Sequence, residues 1–436
     1  MVTRKESREQ EKDANYFFEF MKIQKHFFKG FIDRLKKVED PRHQSYIDYG
    51  PEVLLFTILM KNATSLDSMR RMTERFNKAA CIENVKKALQ FKTLEELPHY
   101  DTINDFLSDL DPAEIEKIRT YMLKELLKKR CFEKYRILNK YWAVIVDGTG
   151  LHTFKQKHCE HCLRREYTNK ETGETTVVYM HHVLEAKLVV GNMVFSIGSE
   201  FIENESEDPA KQDCELKAFK RLAKNIKQTY KRLPICLLGD SLYACEPVFN
   251  ICEQNGWPYI FRFKEGRIRS IASEFQAIQA LDQAKKQDEL IWVNDIEYGE
   301  REINLLESRQ ETEEKKKQQF LFITDITINK RNAQKLLVAG RSRWKIENEG
   351  FNNQKNIRYD LQHVNCHHYT AMKNHYLLIQ LTDILIQLYE NGSRIFKEMK
   401  KTAKEISSNL LEAIRTRTLT DEDISTLVKP IQVRFT

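Results

Sequence analysis

The stretch Tyr141-Trp-Ala-Val-Ile-Val-Asp147-Gly-Thr-Gly150 is a short β-branched run that stops on an aspartate and two glycines. That is the pattern of a buried strand carrying a carboxylate at its C-terminal end. Two more strand-like runs follow, Tyr179 to Val190 and Met193 to Ile202, with Gly191-Asn192 between them as a hairpin turn. Asp208-Pro209 opens a helix with Phe219, Leu222, Ala223, Ile226 and Tyr230 on one face. Pro234-Ile-Cys-Leu-Leu-Gly-Asp240 repeats the first pattern, a strand ending on an aspartate. A helix over about Leu242 to Asn255 and a strand over Pro258 to Phe263 complete the series. This order predicts an α/β layer built on a mixed sheet. Residues 267–318 interrupt it with expected β ribbons, Leu290 to Tyr298 and Arg301 to Leu306, and with a charged loop, Glu311 to Lys317. A strand from Phe320 to Thr324 and one long helix from Asn329 through about Ile357 then resume the layer, followed by amphipathic helix from Tyr359 onward.

Residues upstream of Tyr141 read as helical. Pro51 opens an apolar run, Ser65 is the expected N-cap of a helix from Leu66 to Phe76, and Asp101 starts a short helix. Asp111-Pro112-Ala113-Glu114 combines a cap, Pro at N1 and a carboxylate at N3, and the helix is expected to reach about Lys140. Short helices, one of them basic, suit a DNA-binding domain, and an ordinary helical cap fits equally well. The whole chain has 436 residues and a net charge of +7, too long for a single core. The charge is local: Lys211 to Arg232 and Lys330 to Arg358 each hold eight Lys/Arg against two acids. No apolar run approaches the ~20 residues of a membrane span. The charged start, Met1 to Arg8, lacks the apolar core of a signal peptide. Nine cysteines, an odd count, read as reduced thiols. A cytoplasmic protein is the expectation.

Three acidic residues carry the chemistry. Asp147 and Asp240 end strands, where ligands of α/β sheets bind, and Glu347 lies within the long helix. Three carboxylates ~5 Å apart would repel by about 3 kcal/mol per pair at an effective dielectric of 20. Two divalent ions would relieve that and suit attack on a phosphodiester.

These residues resemble those of bacterial insertion-sequence transposases of the DDE type, which have a ribonuclease H-like catalytic domain. The resemblance rests on Val146-Asp147-Gly-Thr-Gly150, Leu238-Gly-Asp240-Ser-Leu-Tyr243 and Arg341-Ser-Arg343-Trp-Lys-Ile-Glu347-Asn-Glu-Gly-Phe351-Asn, and spans roughly residues 135–390. It implies a ribonuclease H-like mixed sheet with a β insertion, an α-helical domain before it and a helical C-terminal region after it. The corresponding divisions are 1–135 (DNA-binding), 136–266 and 319–390 (catalytic), 267–318 (insertion) and 391–436 (tail). It further implies two Mg²⁺ or Mn²⁺ on Asp147, Asp240 and Glu347, and transposon terminal inverted repeats and target DNA as partners. A homodimer in the synaptic complex and a nucleoid-associated location are implied too. A Tyr-x2-Arg-x3-Glu-x6-Lys/Arg pattern surrounds the family's glutamate. Arg343 and Glu347 match it, while Gly340 and Gln354 replace the Tyr and the final basic residue. Arg343 is therefore the expected phosphate contact, Arg341 a neighbour in the same role, and Lys355 and Arg358 are candidates. On an α-helix Lys355 lies about 80° from Glu347, and Arg358 returns to within ~20°. Glu349 points away and reads as a solvated or salt-bridged acid.

Two features stand outside this core. Cys159 and Cys162 have the spacing of two zinc thiolates, with His181, His182 or Cys366-His367-His368 able to complete a structural Zn²⁺ site. Reduced, partly buried thiols are the alternative. Trp292 and Tyr298 share a strand face by alternation and could hold a flipped base, or pack the insertion's own core. The rival functions are a non-catalytic DNA-binding regulator and a metal-dependent nuclease without strand transfer.

Overall fold

The computed structural model describes residues 14–436 except 205, 207–210, 312–316, 394–395, 397–400, 434 and 436. The charged start, Asp208-Pro209 and the centre of the Glu311 to Lys317 loop thus lie outside the described residues. The chain forms two compact units, residues 1–131 with 352–436 and residues 132–351. Among the described residues no helix is long and apolar enough to cross a membrane.

The first unit begins with α1 (Tyr16–Phe27), α2 (Phe31–Lys36), α3 (Pro51–Ala63), α4 (Met69–Phe76), α5 (Ala79–Leu89), α6 (Tyr100–Asp109) and α7 (Pro112–Leu127). Every residue of α3 is buried, as expected of a helix apolar on all sides. Ser68, not Ser65, caps α4, its side chain accepting from Arg71 N. Ser65 instead adopts a left-handed turn at φ 52° just after α3. Asp111 caps α7 as expected, but the helix ends at Leu127 rather than near Lys140. Lys129 N closes a 3₁₀-type bond to Leu126 O there, and a 3₁₀ turn over Arg130–Tyr135 follows.

The second unit holds strands β1 (Trp142–Phe154), β2 (Leu163–Thr168), β3 (Thr175–Val190), β4 (Met193–Ile202), β5 (Ile235–Gly239), β6 (Tyr259–Arg262), β7 (Lys285–Gln287), β8 (Leu290–Tyr298), β9 (Arg301–Glu311) and β10 (Lys317–Thr324). They form one sheet in the order β2-β3-β1-β5-β6-β10-β9-β8-β7, with β4 paired to β3. β1, β5 and β6 run parallel, and β3 is antiparallel to β1. Gly191 takes φ 63° at the β3–β4 turn. β2 has no strong sequence signal, since its residues Arg164 to Thr168 are polar and mostly exposed.

The helices of this unit are α8 (Glu215–Thr229), α9 (Glu246–Asn255), α10 (Arg269–Ala280) and α11 (Ala333–Arg341). α8 packs on β4 and β3, close enough that a Cβ on Gly198 would meet Leu222 at 2.8 Å. Glu200 to Ile202 finish β4, and the Glu200 carboxylate accepts from Arg221 of α8 at 2.6 Å. The insertion also differs from expectation. It contains helix α10, and its strands extend the main sheet through β10 rather than forming separate ribbons.

On the other sheet face lies a core of Ala143, Ile145, Cys236, Leu238, Ile260, Trp292, Leu306 and Phe322, covered by Leu336, Leu337, Ile346 and Phe351. The expected continuous helix from Asn329 is broken there. α11 passes through a 3₁₀ turn, Ser342–Trp344, into a π-helix, Ile346–Arg358, within which the two units divide.

Among the described residues the first unit continues with helices α12 (Tyr369–Gly392), α13 (Ala403–Thr416) and α14 (Asp421–Leu427). α12 packs against α1, α3, α6 and α7, and every residue from Tyr376 to Tyr389 is buried.

Candidate active site

Strand alternation places the two aspartates. Ala143, Ile145 and Asp147 share one face of β1, and Cys236, Leu238 and Asp240 share the corresponding face of β5 and its end. β1 and β5 are parallel neighbours paired as far as Ile145↔Leu238, so both carboxylates stand two residues past that pairing. Only β5 ends there, since β1 runs on to Phe154 against β3 and Asp147 lies within the strand rather than at its end. That face is the one covered by α11 and the first turn of the π-helix, where Glu347 directly follows the buried Ile346. All three acids are half-buried. Asp147 Oδ1 accepts from Gly148 N at 2.9 Å, and Asp240 Oδ1 accepts from Leu242 N at 2.7 Å, which orients each carboxylate.

Burial pushes the Asp147 carboxyl up to about 7. The Arg343 guanidinium opposes that rise, and the Glu215, Asp240 and Glu347 carboxylates reinforce it. The structure thus brings Asp147, Asp240, Glu347 and Arg343 into one electrostatic neighbourhood. Their oxygens do not crowd onto a single point: among the described residues, the only three or more potential ligand atoms within 4.8 Å of one another belong to Cys159, Cys162 and His181. Ligands of two ions 3.5–4 Å apart are spread more widely than ligands of one.

Glu215 is the residue that sequence reasoning missed. It is the first residue of α8, on the opposite side of the sheet, and its carboxylate reaches β1. A Cβ on Gly148 would lie 2.6 Å from Glu215 Oε1, so only glycine leaves this side chain its place. Burial and Asp240 raise the Glu215 carboxyl, while Arg165 lowers it. An acid in the first turn of a helix reads from sequence as dipole compensation, which hid it.

The other expected contacts divide. Arg343 lies over the Trp344 ring at 4.6 Å, and Trp344 is 48% exposed. Arg341 is exposed and lies over Phe320 at 4.9 Å. Arg262 stacks on the same ring at 5.2 Å and donates to Leu321 O and Gln319 O, which makes it a brace of β10. Arg358 is not available to a phosphate: its guanidinium donates to both oxygens of Glu390, at 2.6 and 2.5 Å. Lys355 is half-buried in the first unit, beside a cavity of about 430 Å³ lined also by Asp67 and Asp360. The 100° spacing that related both to Glu347 does not apply on a π-helix.

Trp292 is corrected as well. It is 1% exposed in the sheet core and cannot receive a base. A bulge between Val293 and Ile296, with Asp295 at φ 60°, also reverses the alternation and puts Tyr298 on the opposite face. Cys159 and Cys162 lie on the β1–β2 connection beside His181 of β3, whereas Cys366, His367 and His368 belong to the other unit.

A mixed sheet that gathers carboxylates from the neighbouring strands β1 and β5 beneath a later helix is a ribonuclease H-like transposase fold. Residues 138–382 match the family model described as Transposase DDE domain, and residues 32–122 match that described as DDE_Tnp_1-associated. The chain belongs to the DDE transposase family, of the insertion-sequence type. A search of curated proteins finds no match. Membership implies DNA as substrate and nuclease or transposition activity, and DDE transposases generally use divalent metals.

Proposed function

We propose that the chain cuts transposon ends and joins them to target DNA, with Asp147, Asp240 and Glu347 as the metal-holding residues. The observation that carries this is the convergence of these carboxylates, with Arg343, around the half-buried Asp147. The donor set is all oxygen, which fits a hard cation such as Mg²⁺ or Mn²⁺. Two such ions, when bound, supply Lewis-acid charge and a nucleophilic oxygen of lowered pKa.

The chain's own residues do the rest. Asp147 and Asp240 present oxygens from a rigid strand pair, and Glu347 adds one from the helix that covers it. Glu215 contributes further negative charge from the opposite face. Arg343 neutralises a phosphate oxygen of the DNA end, and Arg341 extends that contact along the backbone. Trp344, exposed beside Arg343, offers a stacking surface for a base or sugar in the role first expected of Trp292. The helical unit, which contains the 32–122 match, reads the terminal inverted repeats, and two chains hold the two ends together.

The test supplies full-length protein, Mg²⁺, intact and pre-cleaved ends and a supercoiled target. Joined products support the proposal. Cleavage of intact ends without joining makes the protein a nuclease, and binding alone makes it a regulator. Asp147→Asn and Glu347→Gln should each reduce cleavage and joining at least ~10³-fold while retaining end binding. Unchanged cleavage in both variants removes them from the site.

A further inference from the structure

Beyond Asp147, β1 continues to Phe154 and pairs with β3 through His152↔His181, after an irregularity between Gly150 and His152. The connection that follows carries Cys159 and Cys162, and turns back through Leu163 into β2, which pairs with β3 at Met180. One end of β3 is therefore flanked by strand on one side and by this cysteine loop on the other.

Both sulfurs converge on one atom. Cys159 Sγ lies 3.1 Å and Cys162 Sγ 3.3 Å from His181 Nε2, and the two sulfurs are 3.7 Å apart. A single imidazole nitrogen has one proton or one lone pair, so it cannot satisfy two thiols by hydrogen bonding. The sulfur separation is also far outside the ~2.05 Å of a disulfide. It does match the edge of a tetrahedron around zinc, which is about 3.8 Å for Zn–S bonds of 2.3 Å. Cys162 and His181 are almost completely buried, and Cys159 is half-buried. Two thiols and an imidazole held this way form a dry, soft donor set, unlike the oxygen set around Asp147.

We propose that Cys159, Cys162 and His181 bind a structural Zn²⁺ ion. These three ligands leave the fourth tetrahedral position to water or to a neighbouring imidazole that turns toward the ion. The rings of His152 and His158 are each centred 6.2 Å from that of His181, and His158 is held by a 4.4 Å stack on Phe154. Binding releases the protons of both thiols and pins the 155–162 loop to β3, fixing the distal half of the β1–β3 pair. The ion takes no part in phosphoryl transfer.

The test uses full-length protein purified without added metal and then dialysed against a weak chelator. Elemental analysis should find about one zinc per chain, and the Co²⁺-substituted protein should show thiolate-to-metal charge-transfer absorption with tetrahedral d–d bands. Asp147→Asn should keep its zinc, which separates this site from the proposed active site. The double variant C159S/C162S should fall below about a tenth of an equivalent. If that variant does not fold, zinc is titrated into stripped wild-type protein, where two thiols should become protected from alkylation. Less than about half an equivalent in wild type, unaltered zinc in the double variant, or no thiol protection would overturn the proposal.

Discussion

Lys61 illustrates what a single buried charge does to this protein. It sits in the fully buried α3 with its ammonium donating to Asn365 Oδ1 at 3.3 Å. Burial pushes its pKa down to about 8, against smaller opposing effects of Asp67 and Asp360. A lysine with a depressed folded pKa contributes its full stability above its unfolded value near 10.5 and loses it as the pH falls through 8. Below pH 8 the folded state therefore carries a buried charge costing up to about 3 kcal/mol, from 2.5 pKa units at 1.36 kcal/mol each. Lys61→Met should raise the thermal midpoint at pH 7, and its advantage over wild type should shrink between pH 8 and 10.5. An advantage independent of pH would mean that packing, not charge, is responsible.

At the scale of elements, α11 and the π-helix explain why this chain departs from the family's pattern. The position of the family tyrosine is Gly340, where an added Cβ would lie 2.7 Å from the Phe322 ring of β10. α11 rests directly on the sheet there, and a tyrosine has no space. Gly340→Ala gains about 1 kcal/mol of helix propensity. It also overpacks a rigid, 2% exposed ring, at a cost of about 1–3 kcal/mol. The expected net result is a lower thermal midpoint, most simply measured by calorimetry; a higher one would show that Phe322 can yield. The final basic position is filled for a related reason. Gln354 is wholly buried, and its Nε2 donates to Gln380 Oε1 at 3.0 Å and Asp383 Oδ2 at 2.9 Å, tying the π-helix to α12. Tyr359 donates to the other oxygen of Asp383. A lysine there would bring a buried charge into a network already satisfied by an amide.

For the whole molecule, the chain order of the two units has a consequence. Residues 132–351 are contiguous, whereas the helical unit is assembled from residues 1–131 and 352–436. Its central helix, α12, comes from the second segment and packs against four helices of the first. Asn374 of α12 donates to both Leu107 O and Leu110 O, closing the end of α6. Expressed alone, residues 132–351 should give a cooperative α/β thermal transition. Residues 1–131 should stay unfolded by circular dichroism until co-expressed with 352–436, because α3 and α6 would otherwise expose the apolar faces that α12 buries. A folded 1–131 fragment would contradict this.

Much of the site could be read along the chain. The strands carrying Asp147 and Asp240, and the Arg343-x3-Glu347 spacing, are local patterns, and period-2 alternation fixes the faces of the strands without knowledge of their partners. That β1 runs past Asp147 to Phe154 comes from its pairing with β3. The caps at Asp111 and the turn at Gly191 were legible for the same reason. What tertiary structure decided was everything that depends on contact between distant segments. Glu215 reaches the site only because α8 crosses behind β1, and Arg358 is consumed by Glu390, 32 residues away. Trp292 is a core residue because the insertion continues the main sheet rather than standing apart from it. His181 was singled out from several candidates because β3 pairing sets it against the cysteine loop. Local patterns determine the type and face of an element. Which side chains share a charge, a cavity or an ion is settled by packing between elements, and no spacing along the chain encodes that directly.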